Sequence, residues 1–160
     1  MRIRVVAVGR VRDEGLRAVC DDFLRRASRT LTVDVVEVPE AGRRGGSPAG
    51  TRKLEGERLG ARIPSGALTV GLTRTGRRLS SAAFADQVGR WRDGARDVAL
   101  LLGGAYGLDG ALLERCQVRL SLSPLTLPHE LARLVLLEQL YRSGTILRGE
   151  PYHKDSSAPA

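Results

Sequence analysis

The chain has 160 residues, 42% of them hydrophobic and only 4% aromatic. That length holds one compact domain with an aliphatic core and is short for two. Its formal net charge is +8, which points to a polyanionic partner, nucleic acid before an anionic membrane surface. The excess is confined to the first half: residues 1–80 carry 17 Lys+Arg against 9 Asp+Glu, whereas residues 81–160 carry nine of each. No apolar run approaches the ~20 residues of a membrane span. The opening MRIRVVAVGR is too short an apolar run for a signal peptide, so the expected location is cytoplasmic. Cys20 and Cys116 are the only cysteines, with no CxxC and no His/Cys cluster, and no metal is expected.

Taken in chain order, Ile3–Val8 reads as a buried strand. Leu16, Val19, Cys20, Phe23 and Leu24 then recur at helical spacing, with acidic residues early and arginines late, as the helix dipole favours. Leu31–Val38 is a second strand. Residues 39–50, rich in Gly and Pro, predict irregular structure; Arg43 and Arg44 lie there, either as solvated charges or as phosphate contacts. Thr51 is placed to cap a short helix to about Ala61. Ala67–Leu72 is a third strand, and TRTGRR (73–78) reads as a turn. Ser80 or Ser81 starts a helix with Phe84, Val88 and Trp91 on one face. Asp97–Gly104 contains a continuous apolar run, as suits a parallel strand covered on both faces. A short helix near Asp109, a fifth strand at VRLSL and a long apolar helix after Pro128 complete the order. Alternating strands and helices predict one α/β domain over 1–160 with a mainly parallel sheet flanked by helices. The last residues, 156–160, are expected to be a disordered tail.

Two segments could carry chemistry. LLLGGAYG is a strand entering a glycine-rich turn, where Gly103 and Gly104 permit close approach of a ligand to the backbone; a tight turn needs glycines equally. SLSPLTLPHE follows the fifth strand. Pro124 and Pro128 stiffen it, and its main-chain groups with Leu122, Leu125 and Leu127 could hold an adenine; it could also be a plain strand-to-helix connection. The helix beyond is apolar around most of its circumference, which favours a homodimer interface in so short a chain. Glu138 and Arg142 are spaced to pair. His129 falls in the first helical turn, where a capping role is expected, and His153 lies in the C-terminal EPYHKD.

LLGGAYGL, SLSPLTLPHELARLVLLEQLYR and EPYHK, with VVAVGR, GRRGG and RWRDGARDVALLLGG, together resemble the RlmH family over nearly the whole chain. These are SPOUT-type methyltransferases that modify N3 of a pseudouridine in large-subunit (23S) ribosomal RNA within the assembled ribosome. The resemblance implies a C-terminal trefoil knot, which no periodicity argument proposes. It implies S-adenosylmethionine as cofactor, held by Leu72, Gly103, Gly104 and the loop Leu122, Ser123, Pro124, Leu125, Thr126 and Leu127. It implies a homodimer in which the tail of one subunit, with Tyr152, His153 and Lys154 as catalytic candidates, reaches the cofactor of the other. His129, Glu138, Arg142, Arg43 and Arg44 are expected to support the knot or the RNA. Two positions depart from the family pattern: Tyr106 stands where many relatives carry an acidic residue, and Glu130 where a proline is frequent. Two other readings compete: a non-catalytic ribosome binder, for which the basic first half would suffice, and a Rossmann or flavodoxin-like enzyme. The first loses ground to the intact cofactor loop. The second predicts a phosphate loop after the first strand, where VGRVRDEG brings acidic residues instead.

Overall fold

The computed structural model describes residues 1–152, without the side chain of Arg43. Its strands are β1 (Arg2–Val8), β2 (Thr32–Val38), β3 (Leu68–Arg78), β4 (Val98–Leu102) and β5 (Val118–Ser121). They form one sheet in the order β2-β1-β4-β3-β5, and every neighbouring pair is parallel. All five residues of β4 are buried, as its uninterrupted VALLL requires of a strand covered on both faces.

Five helices, α1 (Glu14–Ala27), α2 (Pro48–Gly60), α3 (Ser81–Asp93), α4 (Gly110–Arg115) and α5 (His129–Ile146), flank the sheet. Strand alternation divides the core. Ile3, Val5, Ala7, Val98, Leu100 and Leu102 point to one face, where Cys20, Phe84, Val88, Trp91, Leu136, Leu137 and Leu140 from α1, α3 and α5 cover them. Val6, Val8, Ala99 and Leu101 point to the other, under Leu59 of α2 and Leu112 of α4. Asp13, Ser80 and Asp109 cap α1, α3 and α4 by accepting the backbone N–H of Leu16, Ala83 and Leu112. Burial pushes the thiols of both free cysteines up from their ordinary range.

Three expectations are corrected. The 39–50 segment is not wholly irregular: a 3-10 turn spans Gly42–Gly45, and α2 already begins at Pro48. Ser47, not Thr51, is its cap, accepting the Gly50 N–H at 3.0 Å, while Thr51 is buried inside the helix. The residues 73–78 do not turn away but continue β3. Leu72 and Arg77 both stand opposite Leu120, with the residues between them forming a bulge. A side chain at Gly76 would collide with the Leu120 backbone, so that approach needs glycine. One side of α5 is covered within the chain, while Leu131 stays 41% exposed. It packs against α1 and α3, and Leu136, Leu137 and Leu140 are fully buried.

Candidate active site

β4, β3 and β5 are adjacent and parallel, so their carboxyl ends open on one edge of the sheet. Leu72 pairs with Leu120, and Gly71 with Leu101. Leu72, at the β3 bulge, is therefore level with the strand ends that lead into the Gly103–Gly104 turn and the loop Leu122–Leu127, the end of the sheet where parallel α/β folds hold ligands. Leu72 and Leu122 are half-buried against the core, whereas Leu125 is 73% exposed. Inside the loop the Ser121 hydroxyl donates to the Ser123 carbonyl, and the Leu125 N–H donates to the Ser123 hydroxyl, both at 2.9 Å. Among the described residues, no main-chain hydrogen bond outside helices and strands involves Leu122–Leu127. Such a loop has spare main-chain donors and acceptors for a base edge, with leucine side chains to cover its faces. Those groups fit an adenosine.

The turn after β4 is tight. The Gly107 N–H donates to the Gly104 carbonyl at 3.0 Å, and any side chain at Gly103 would strike the backbone of Gly107. Beyond this turn lies a cleft of about 440 Å³. Its wall is the segment Glu40–Ser47 with the first turns of α2, its rim includes Tyr106, and His129 borders it at the start of α5. His129 does not cap its helix: Pro128 occupies the cap position, and no side-chain hydrogen bond is made there.

Glu55 is the unusual group in this cleft. It is only 4% exposed. Its Oε1 accepts the Ala41 N–H at 3.0 Å, while its Oε2 is buried without a hydrogen-bond partner. That oxygen lies against Gly104, where an added Cβ would sit 2.8 Å from it. Glu40, at the same cleft, is engaged by Arg12 at 2.9 Å. Glu55 gave no sign in the sequence, because LEGER in a charged helix reads as a solvated face. Tyr106 registered there only as a departure from the family pattern.

A second residue hidden in the sequence is Arg133, 3% exposed on α5. Its guanidinium donates to Glu37 at 2.5 Å and to the carbonyls of Gly9 at 2.7 Å and Val8 at 3.3 Å, tying α5 to the end of β1. The Arg12 N–H donates to Glu130 at 3.2 Å, a further tie between the same regions. An arginine within the apolar pattern LARLVLL was the available signal.

Glu138, Arg142 and Tyr152 form a separate cluster. Glu138 and Arg142 pair as expected. The Tyr152 hydroxyl donates to Glu138 at 3.3 Å, its ring meets that of Tyr141 at 4.6 Å, and the Arg142 guanidinium lies 4.9 Å from its centroid. Burial, then the Glu138 charge, holds the Tyr152 hydroxyl above its ordinary range, with Arg142 opposing. Counting along α5 from His129 to Glu138 and Tyr141 at ~1.5 Å per residue, this cluster is roughly 14–18 Å along the helix from the loop of the same chain. Arg44 is exposed on the cleft-side segment. His153, Lys154 and 156–160 lie outside the described residues, as does the side chain of Arg43. Among the described residues no group of His, Cys, Asp and Glu is placed to hold a metal, and no helix is long and apolar enough to cross a membrane.

Comparison with known proteins agrees with this fold. A family profile described as "Predicted SPOUT methyltransferase" matches residues 1–153. A ribosomal RNA large subunit methyltransferase H from Anaeromyxobacter sp. is 48% identical over 154 residues, covering 96% of this chain and all of the relative. A protein of the same name from Gemmatimonas aurantiaca is 47% identical with the same coverage. Among solved structures, a probable methyltransferase from Bordetella pertussis superposes with a TM-score of 0.53 at 19% identity, covering 89% of this chain and 95% of that one. A probable methylase family protein from Haemophilus influenzae gives 0.54 at 15% identity, covering 96% and 70%; at such identities these two establish the fold alone. The profile and these relatives together define an α/β methyltransferase of the SPOUT class. The chain belongs to the SPOUT methyltransferase family, in the branch of the ribosomal RNA large subunit methyltransferase H proteins.

Proposed function

We propose that this protein transfers the methyl group of S-adenosylmethionine to large-subunit ribosomal RNA, at N3 of a pseudouridine in the assembled ribosome. The observation that carries this reading is the register that sets Leu72 level with the strand ends leading into the Gly103–Gly104 turn and the Leu122–Leu127 loop, in a chain matched over 96% of its length by relatives of that name. The cofactor, when bound, supplies an electrophilic methyl carbon on a sulfonium. The loop and turn hold it by main-chain groups and leucine side chains, and keep the methyl aligned with the attacking nitrogen. Such alignment can lower the barrier by roughly 7–11 kcal/mol in favourable cases. N3 carries a weakly acidic proton, and His153 is assigned to remove it or to orient the ring, with Tyr152 and Lys154 holding the nucleotide.

Support for a homodimer comes from the Tyr152 cluster. Lying well along α5 from its own loop, it would serve a loop only on a partner. The trefoil knot belongs to this reading by family membership. Arg43 and Arg44 are assigned to RNA phosphate, consistent with the basic first half, and the reaction is placed in the cytoplasm. Labelled methyl transfer to intact ribosomes lacking the modification, with mass spectrometry to locate the product, tests the proposal. Label at one pseudouridine is expected. No transfer despite cofactor binding would overturn the substrate, and unchanged transfer by His153→Ala would remove that histidine from the mechanism.

A further inference from the structure

A carboxylate oxygen buried without a donor is costly, because it has lost its water and gained nothing. Glu55 Oε2 is in that condition, in the floor of the 440 Å³ cleft and against the Gly103–Gly104 turn. Its partner oxygen is committed to the Ala41 N–H, so the side chain cannot rotate to relieve it without freeing that amide. The helix that carries it is pressed close as well, since a Cβ on Gly56 would lie 2.7 Å from Asp109 Cβ. The site is therefore prepared for a hydrogen-bond donor delivered by a ligand. The surroundings narrow the donor's nature. The buried Thr51 lines the cleft beside Glu55, and Tyr106, 54% exposed, offers an aromatic face at the rim. Exposed aromatic rims suit a nucleobase taken out of its stack.

Resting on the proposed function, we infer that this cleft receives the target base, with Tyr106 stacking on its ring and Glu55 Oε2 accepting its N1–H. Pseudouridine is joined to ribose through carbon and so keeps a hydrogen on N1, whereas uridine uses N1 for its glycosidic bond. N1 and N3 flank the same carbonyl carbon, so holding N1–H at Glu55 leaves N3 free to face the methyl donor across the turn. Glu55 is thus the residue that distinguishes pseudouridine from uridine. A site built to receive a polar hydrogen discriminates strongly against an analogue that lacks it.

Glu55→Gln tests this cleanly. The Ala41 N–H retains the amide oxygen, so the amide nitrogen takes the place of Oε2 and presents a donor to a donor. Methyl transfer is measured on ribosomes carrying pseudouridine or uridine at the target position, and S-adenosylhomocysteine affinity by calorimetry. The expected result is a loss of roughly 10- to 100-fold in kcat/KM on pseudouridine, little change on uridine and unaltered cofactor affinity. An unchanged pseudouridine-to-uridine ratio overturns the inference. So does a fall in cofactor affinity that matches the fall in kcat/KM, which would put the carboxylate on the cofactor. Should Glu55→Gln not fold, Tyr106→Ala decides, its side chain being exposed: about a tenfold loss in kcat/KM, restored by Tyr106→Phe, is expected, and wild-type kinetics would overturn it. A wild-type enzyme inactive on both ribosomes would remove the function reading itself, and this one with it.

Discussion

The loop Leu122–Leu127 and the floor of the cleft lie on either side of one glycine turn, yet they are built on opposite plans. The loop exposes a leucine and has main-chain groups to spare. The floor hides a glutamate whose two oxygens sit in fixed and unequal surroundings. A main-chain site depends on the path of the backbone and tolerates changes of side chain. A side-chain site depends on single atoms.

Gly103→Ala should break both sites at once, because the backbone of Gly107 cannot yield as a side-chain end would. We expect a loss of about 3 kcal/mol, at the upper end for overpacking, read as a lower urea midpoint, with methyl transfer abolished. Arg133→Ala comes next. It removes the donor that satisfies the Val8 and Gly9 carbonyls, and so loosens the helix behind the loop from the strand beside the cleft. About 2 kcal/mol should be lost in equilibrium unfolding. Leu125→Ala sharpens the contrast: stability should stay within ~0.5 kcal/mol, with cofactor affinity reduced roughly tenfold by calorimetry. A larger loss of affinity than Glu55→Gln causes in turnover would invert the comparison.

The smallest effect concerns the C-terminal cluster, distant along α5 from the loop of its own chain. A tyrosine hydroxyl raised in the folded state favours folding while protonated. That contribution is complete below its unfolded value of about 10 and is lost as pH rises through the higher folded one. Unfolding midpoints should therefore fall more steeply above pH ~10 for the wild type than for Tyr152→Phe.

Much of the fold was legible because its signals are local. Asp13, Ser80 and Asp109 precede helical patterns as caps do, and VALLL suits a strand covered on both faces. Ser47–Pro48, a cap followed by a first-turn proline, was equally legible but was outweighed by the glycines around it. The continuation of β3 was not, because TRTGRR is held in the sheet by Gly76 on the Leu120 backbone, more than forty residues away. Glu55 was invisible for the same reason. Its burial is created by Ala41 and Gly104, which the chain brings together only after two more strands are in place. The cofactor loop came from resemblance to a family; spacing alone left it level with an ordinary connection.

The sheet order bears on how the molecule is made. β4, fourth in the chain, lies between β1 and β3, so those two strands have no bonds to one another and each waits for the same partner. During synthesis the first 97 residues can pair β1 with β2, but β3 has no neighbour until β4 leaves the ribosomal tunnel, and β5 none until β3 is seated. Every pairing is parallel and distant, with no hairpin to nucleate it. Slow assembly, with the apolar strand of residues 98–102 as the step on which the remainder depends, follows from that single insertion.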